Sequence, residues 1–99
     1  MVRLMVLYGH PKDPAAFEQY YRDVHIPIAA QIRGVRVEAG KVSGAPDGSR
    51  TPFYRVAEVV FNNTEHMHAV LATPEAQRTV ADIANFATGG VTVMVADME

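Results

Sequence analysis

Hydrophobic residues along this chain alternate between short stretches with strand periodicity and longer stretches with helical periodicity. Residues 2–8 are apolar on both faces, which is typical of a strand that is covered on both sides. Strands are also predicted at residues 35–42, 53–61 and 91–96, where β-branched and aromatic residues predominate. Helical stretches separate the first strand from the second and the third strand from the fourth.

The first helix is predicted to run from Pro14 to about Gln31. Asp13 is a good N-cap, and Pro14 suits the first helical position because it has no N–H to satisfy there. Pro27 interrupts the helix, because it lacks the N–H that an interior turn needs and disfavours the helical conformation at Ile26.

Steps of 100° along this helix place four apolar residues on one core stripe: Phe17, Tyr20, Val24 and Ile28. Tyr21 and His25 are predicted on the flank of the stripe, four residues apart and therefore neighbours. The charged and polar positions are predicted to face solvent: Glu18, Gln19, Arg22 and Asp23.

The second helical region has two start signals. Asn62 or Asn63 can cap a first helix, and Thr73-Pro74 repeats the cap-plus-proline pattern for a second one that runs to about Phe86. The resulting order, βαββαβ, predicts an α+β ferredoxin-like fold with a four-stranded antiparallel sheet.

Helices can cover only one face of such a sheet, yet the first, third and fourth strands are apolar on both faces. A second copy of the chain is the simplest cover for the other face, because two-fold dimers are the commonest oligomers. The sequence therefore predicts a homodimer.

Composition limits the possible functions. The 99 residues predict one domain, residues 1–99, and a net charge of −2 without a basic cluster gives no reason to expect nucleic-acid binding. No apolar run is long enough for a membrane span, and no signal peptide is recognisable, so a cytoplasmic location is expected.

The absence of cysteine excludes disulfides and thiolate metal sites. His66 and His68 are two residues apart and lie on different sides of a helix, so they cannot chelate one metal together. No phosphate-binding glycine loop is present either, so no metal or cofactor is expected.

Three ionisable residues are candidates for chemistry. His25 is a candidate general acid/base, or else it satisfies carbonyl groups freed by Pro27, and Asp23 could favour its charged form. Glu58 on the third strand is either a buried proton acceptor or the partner of a cation from the second subunit. Asp82 is predicted to face away from its helix's apolar stripe and could pair with Arg78 on the surface.

Tyrosines could line an aromatic-binding cavity: Tyr8, Tyr20, Tyr21 and Tyr54.

The aromatic-rich helix, the His25-Ile26-Pro27 element, the strand at residues 53–61, and Asp82 followed by Phe86 together resemble the EthD-like family. The resemblance covers nearly the whole chain, with one departure: Arg33-Gly34 stands where members often carry Pro-Gly. It implies a dimeric α/β barrel and favours catalytic roles for His25 and Asp82. Residues expected to contact a substrate are Tyr8, Tyr21, Tyr54, Glu58 and Phe86.

The resemblance also implies a hydrophobic, aromatic or polyketide-like ligand and a cofactor-free isomerisation or dehydration. Two alternatives stay open: a cofactor-independent monooxygenase, and a non-catalytic accessory protein of a degradation pathway that carries a metabolite.

Overall fold

Four antiparallel strands form one sheet in the computed structural model, which describes all 99 residues. The strands are β1 (Val2–Gly9), β2 (Arg36–Lys41), β3 (Phe53–Phe61) and β4 (Val91–Asp97), and they lie in the order β2-β3-β1-β4. The predicted ferredoxin-like arrangement is confirmed, with the helices on one face of the sheet.

The helices begin where the capping signals place them. They are α1 (Pro14–Tyr20), a π-helical turn (Tyr21–His25), α2 (Ile26–Ala29), α3 (Thr64–Leu71), α4 (Pro74–Asp82) and a 3₁₀ turn (Ile83–Asn85). The side chains of Asp13, Asn63 and Thr73 each accept a hydrogen bond from the N–H three residues later. None of the helices has the length and apolar character that crossing a bilayer requires.

The helix is interrupted near His25, but by a π turn. The N–H of Ile26 donates to the carbonyl of Tyr21, five residues earlier. Ile26 therefore stays helical (φ −59°, ψ −43°), and the prediction that Pro27 moves it out of that region is wrong. The extra residue in the turn also rotates Val24 outward, where it is 38% exposed, so its prediction as a core residue is wrong as well.

A register shift between β1 and β3 changes the orientation of one predicted site residue. Tyr8 pairs with Arg55 and Gly9 with Phe53, so Tyr54 is left over between them as the extra residue of a β-bulge. Simple alternation predicts Tyr54 on the same face as Glu58, but its ring packs on Phe17 of α1 at 5.2 Å between centroids.

The core between sheet and helices has two parts. The aromatic cluster contains Val6, Tyr8, Phe17, Tyr21, Ala57 and Phe86. The aliphatic cluster lies nearer the other end of β1 and contains Val2, Phe61, Met67, Val70 and Ala76. Residues of both clusters border one cavity between the sheet and the helices.

Glu18 joins α1 to β3, although its helical position predicts that it faces solvent. One of its oxygens accepts from Arg55 Nη2 at 2.7 Å and the other from the Tyr54 hydroxyl at 3.0 Å. The Arg55 hydrogen bond outweighs the effect of burial and, together with Tyr54, lowers the pKa of Glu18 to about 2.

We expect Glu18→Gln to lower the melting temperature near neutral pH by roughly 5–10 °C, or about 1–2 kcal/mol, because a charged, partly buried hydrogen-bond group is lost. The folded-state pKa lies below the unfolded one, so this stabilisation is complete above the unfolded pKa and disappears as pH falls toward about 2. The difference between variant and wild type should therefore shrink across that interval in thermal melts recorded against pH.

Glu75→Gln is the matched control, since the carboxylate of Glu75 lies 3.8 Å from the exposed Arg78 on the same helix. It should change the melting temperature by only a degree or two. A Glu18→Gln deficit that persists undiminished at low pH would contradict the assigned role of the Glu18 charge.

Candidate active site

His25 completes a column of three rings on one side of the first helical region. Tyr21 stacks on Phe17 with centroids 5.5 Å apart and planes 15° apart, and His25 stacks on Tyr21 at 5.5 Å and 25°. The π turn spans Tyr21–His25 and aligns His25 above Tyr21, because it widens the helix so that residues four apart lie above one another. Phe86 packs beside the imidazole at 4.6 Å and also contacts Tyr21, with ring centroids 5.7 Å apart. The imidazole is therefore held in one orientation.

Asp82 reaches this imidazole from the end of α4. Its Oδ2 lies 2.9 Å from His25 Nδ1, and the two residues are only 7% and 5% exposed. The predicted surface pair with Arg78 is wrong, since α4 turns Asp82 inward and Arg78 lies near Glu75 instead. Asp23, the other carboxylate suggested for His25, is exposed and pairs with Arg22.

Two further donors satisfy the second oxygen of Asp82. The Tyr20 hydroxyl donates to Oδ1 at 2.6 Å, and Asn85 Nδ2 donates to the same atom at 3.0 Å. Burial by itself would raise the pKa of Asp82, but the hydrogen bonds from Tyr20, Asn85 and His25 together hold it below its usual value. Asp82 is therefore a carboxylate, which can only accept, and His25 Nδ1 must be the donor.

The other ring nitrogen of His25 faces open space. Nε2 makes no hydrogen bond, and Arg3 Nε is the only enclosed side-chain nitrogen or oxygen atom in the protein without a partner. Nε2 is therefore accessible, and His25 lines a cavity between the sheet and the helices. In the neutral imidazole Nε2 carries a lone pair, because Nδ1 holds the proton.

The cavity measures about 70 Å³ and is almost entirely apolar, since sixteen of its eighteen lining residues are hydrophobic. Tyr8 and Tyr21 line it together with His25, as do residues of both core clusters. The structure thus brings together three of the predicted site residues, His25, Tyr8 and Tyr21, around one space. Asp82 and Phe86 contact His25 from behind and do not border the cavity.

Glu58 and Tyr54 lie away from this cavity. Glu58 is on the helix-free face of the sheet, where its Oε2 accepts from Arg3 Nη1 at 2.8 Å. The cation expected from a second subunit is therefore supplied by β1 of the same chain, and this expectation for Glu58 is corrected. Tyr54 belongs to the Glu18 network outside the cavity.

Sequence reasoning missed the polar roles of Tyr20 and Asn85. Tyr20 was predicted as a core residue, and its ring does stack on Phe86, but its hydroxyl reaches Asp82 from the other helical region. Asn85 lies three residues after Asp82, a spacing that brings side chains together on a helical turn, and this was the one local signal available.

No group of three or more histidine, aspartate or glutamate side chains could hold a metal ion. The fold and the site thus define a small ferredoxin-like protein with a buried His–Asp pair at an apolar cavity. Residues 10–90 match the model of the EthD domain, and the chain belongs to that family.

Two relatives match over essentially their whole length. An 11.0 kDa protein from the thcB-thcC intergenic region of Rhodococcus erythropolis is 41% identical, with 100% of this chain and 96% of that protein covered. The crystal structure of an EthD family protein from Bacillus halodurans C-125 is 29% identical, with a TM-score of 0.90 and 100% and 99% of the two chains covered.

More distant structures share the fold. A dimeric protein of ferredoxin-like fold from Bacteroides fragilis has a TM-score of 0.67 at 13% identity, covering 98% of this chain and 95% of its own. SnoaB from Streptomyces nogalater, described as a cofactor-independent oxygenase, has a TM-score of 0.61 at 15% identity, covering 98% and 90%.

We expect Tyr20→Phe to raise the pKa of Asp82, because the variant removes a hydrogen bond that stabilises the carboxylate. Titration of the Asp82 side-chain ¹³C signal by NMR measures this directly. The folded-state pKa is the lower one, so the pair stabilises the protein above the unfolded pKa of about 3.9 and loses this effect as pH falls. Tyr54→Phe removes a hydroxyl elsewhere and should leave the Asp82 titration unchanged, and an unchanged titration in Tyr20→Phe would refute the assigned network.

Proposed function

We propose that this protein binds a hydrophobic small molecule in the cavity and moves a proton on it with His25, without a cofactor, as in an isomerisation or a dehydration. In this role Nε2 removes a proton from the ligand and returns it at another atom. Asp82 fixes the tautomer of the imidazole and stabilises the imidazolium that forms in between. Asp82 is a positioning residue, since it touches His25 and not the ligand.

One observation carries this proposal. His25 Nδ1 is held by a buried carboxylate, while Nε2 is free and faces an apolar space. A histidine with a structural role uses its polar atoms to satisfy neighbouring groups, and here one of the two nitrogens is left for a ligand. The electrostatic effect of the carboxylate is strong because little water reaches the pair.

The size of the cavity restricts the ligand. About 70 Å³ holds a few water molecules, whereas an engineered cavity that binds benzene measures roughly 150 Å³. A single ring therefore requires side chains at the rim to move, and the half-exposed Val80 and Val37 border the cavity there. This favours a single ring or a short chain over a polyketide of several rings.

The two alternative functions use the same cavity. A cofactor-independent oxygenase, the description given for SnoaB, would need a ligand that becomes a good electron donor once a base has removed a proton. A carrier in a degradation pathway would bind the ligand and leave it unchanged. Neither alternative explains the orientation of His25 by Asp82 better than proton transfer does.

We also propose that two copies associate through the helix-free face of the sheet. Met5 of β1 lies between Glu58 of β3 and Met94 of β4 on this face, and Met94 is 43% exposed. The charge of Glu58 is balanced by Arg3 within the face, so the surface can be covered without an unpaired carboxylate. The distant relative from Bacteroides fragilis is described as dimeric.

Thermal-shift screening of aromatic ketones, lactones and quinones should identify a ligand. We expect wild-type protein to catalyse the exchange of an acidic hydrogen of this bound ligand with D₂O, which ¹H NMR measures. His25→Gln should slow this exchange about 10²–10⁴-fold, because it removes the base while keeping a donor for Asp82.

His68→Gln is the matched control, because His68 is exposed on α3 and makes no contact with the cavity. Its exchange rate should equal that of wild type. If His25→Gln melts many degrees lower yet exchanges the ligand proton normally, His25 is a structural residue and the proposal fails. Binding without exchange in wild type would favour the carrier, and uptake of O₂ would favour the oxygenase.

We expect a dimer in light scattering at micromolar concentration, and Met94→Lys should weaken association by about 10²-fold or more, because it buries an unpaired charge in the interface. Val24→Lys places the same charge on the outer helical surface and should leave the dimer intact. A monomeric wild type, or equal effects of the two substitutions, would rule out this interface.

A further inference from the structure

We propose that the Tyr8 hydroxyl binds the carbonyl oxygen of the ligand opposite His25, and that the ligand is a neutral carbonyl compound with an sp³ C–H bond next to the carbonyl, such as a ketone or a lactone. This inference deepens the proposed function and rests on it for the reaction, while the binding part can be tested separately. Tyr8 would be the group that stabilises negative charge as His25 removes a proton.

The position of Tyr8 is rigidly fixed. It lies on the central strand β1 and is 1% exposed, and its ring contacts those of Phe17, Tyr21 and Phe86 at centroid distances of 5.5, 5.8 and 5.5 Å. Such packing on three sides leaves the ring little freedom to turn. A hydroxyl on this ring is therefore preorganised, as a group that stabilises a transition state should be.

The hydroxyl itself has no partner in the protein. It makes no hydrogen bond, and it is not enclosed, because Arg3 Nε is the only enclosed polar side-chain atom that lacks a partner. The small exposed area of Tyr8 therefore lies at its hydroxyl, and the space that Tyr8 borders is the cavity of His25. Buried hydroxyls are normally hydrogen-bonded, so a free one at a cavity indicates a ligand atom.

The hydroxyl stays protonated and acts as a donor. Burial raises the pKa of Tyr8 well above the usual value, the neighbouring Tyr21 and Asp82 raise it further, and Arg55 only partly opposes them. A phenol in this environment can donate to an oxygen atom that gains negative charge, but it cannot itself become the base. The division of roles between Tyr8 and His25 follows.

The remaining lining explains why the ligand should be neutral. No arginine, lysine, aspartate or glutamate borders the cavity, so a carboxylate or a phosphate would be buried without a counter-charge. Beyond Tyr8, Tyr21 and His25, the one polar lining residue is Thr79, whose hydroxyl already donates to the Glu75 carbonyl, and the lining toward Phe61 and Val70 of the aliphatic cluster is apolar. A carbonyl group at the tyrosine end and a hydrocarbon body at the other end match this distribution.

The proposed proton transfer can be written with only the ligand, His25 and Tyr8. His25 Nε2 takes the proton from the carbon next to the carbonyl, and the C–H electron pair forms the C=C bond of an enolate. The carbonyl π electrons move to oxygen, where the Tyr8 hydroxyl donates its hydrogen bond. The imidazolium then returns the proton to the same or another carbon, or to a departing hydroxyl in a dehydration, and no oxidant or reductant is required.

Methyl ketones from 2-butanone to acetophenone, labelled with ¹³C at the carbonyl, test this inference. The ¹³C signal of the bound ketone should lie further downfield in wild type than in Tyr8→Phe, which keeps the ring and should melt within roughly 3 °C of wild type. Exchange of the methyl protons with D₂O should slow about 10²–10³-fold in Tyr8→Phe, as is typical when one oxyanion donor is removed.

Three comparisons separate this inference from the proposed function. His25→Gln should abolish exchange but keep the carbonyl shift, whereas Tyr54→Phe, which loses a hydroxyl outside the cavity, should change neither. Benzoate should bind at least tenfold more weakly than acetophenone. A carbonyl shift that survives in Tyr8→Phe, equal or tighter binding of benzoate, or no binding of any ketone would overturn the inference. A Tyr8-dependent shift without any exchange would support the binding role and contradict the proposed reaction.

Discussion

The hydrogen bond between Asp82 and His25 is the interaction on which the rest of the site depends. It joins the end of α4 to the π turn across the interior, and both side chains are buried there. A carboxylate in such a place is tolerated only when its lone pairs are satisfied, and removing one partner of a buried charged pair typically costs about 3–5 kcal/mol. The donors come from three separate segments: α1 supplies Tyr20, the π turn supplies His25, and the 3₁₀ turn supplies Asn85. The charge therefore fixes the two helical regions relative to each other as well as the imidazole.

The π turn is the second constraint, because it determines which residues of the first helical region face inward. In a regular α-helix Val24 would be buried and His25 would lie on the flank. The one extra residue stacks His25 on Tyr21 instead and turns Val24 to the surface. Phe86 packs beside both Tyr21 and His25, and Nε2 of His25 is left without a partner in the protein. A local change in helix geometry thus brings the imidazole of His25 to the cavity.

Elements that depend on local chemistry were predictable from the sequence. The order of strands and helices along the chain, the caps at Asp13 and Thr73 and at one of Asn62 and Asn63, and the interruption near His25 all follow from residues within a few positions of one another. The inward direction of Asp82 was not predictable from its helix, because a carboxylate near Arg78 normally stays at the surface, and two of its three donors, Tyr20 and His25, are more than fifty residues away. Tyr54 was misassigned because one bulged residue reverses the alternation of β3. Glu58 was expected to need a second subunit, since the pairing of β1 with β3 that brings Arg3 beside it is a tertiary contact.

The account as a whole requires that His25 holds its proton on Nδ1 and presents a bare Nε2 to the cavity. Neutron diffraction from crystals exchanged into D₂O at about pH 9, where histidine side chains are normally neutral, locates this proton directly. We expect a deuteron on Nδ1 that points to Asp82 Oδ2, and none on Nε2. A deuteron on Nε2 with none on Nδ1, or one carried by Asp82 itself, would contradict the account.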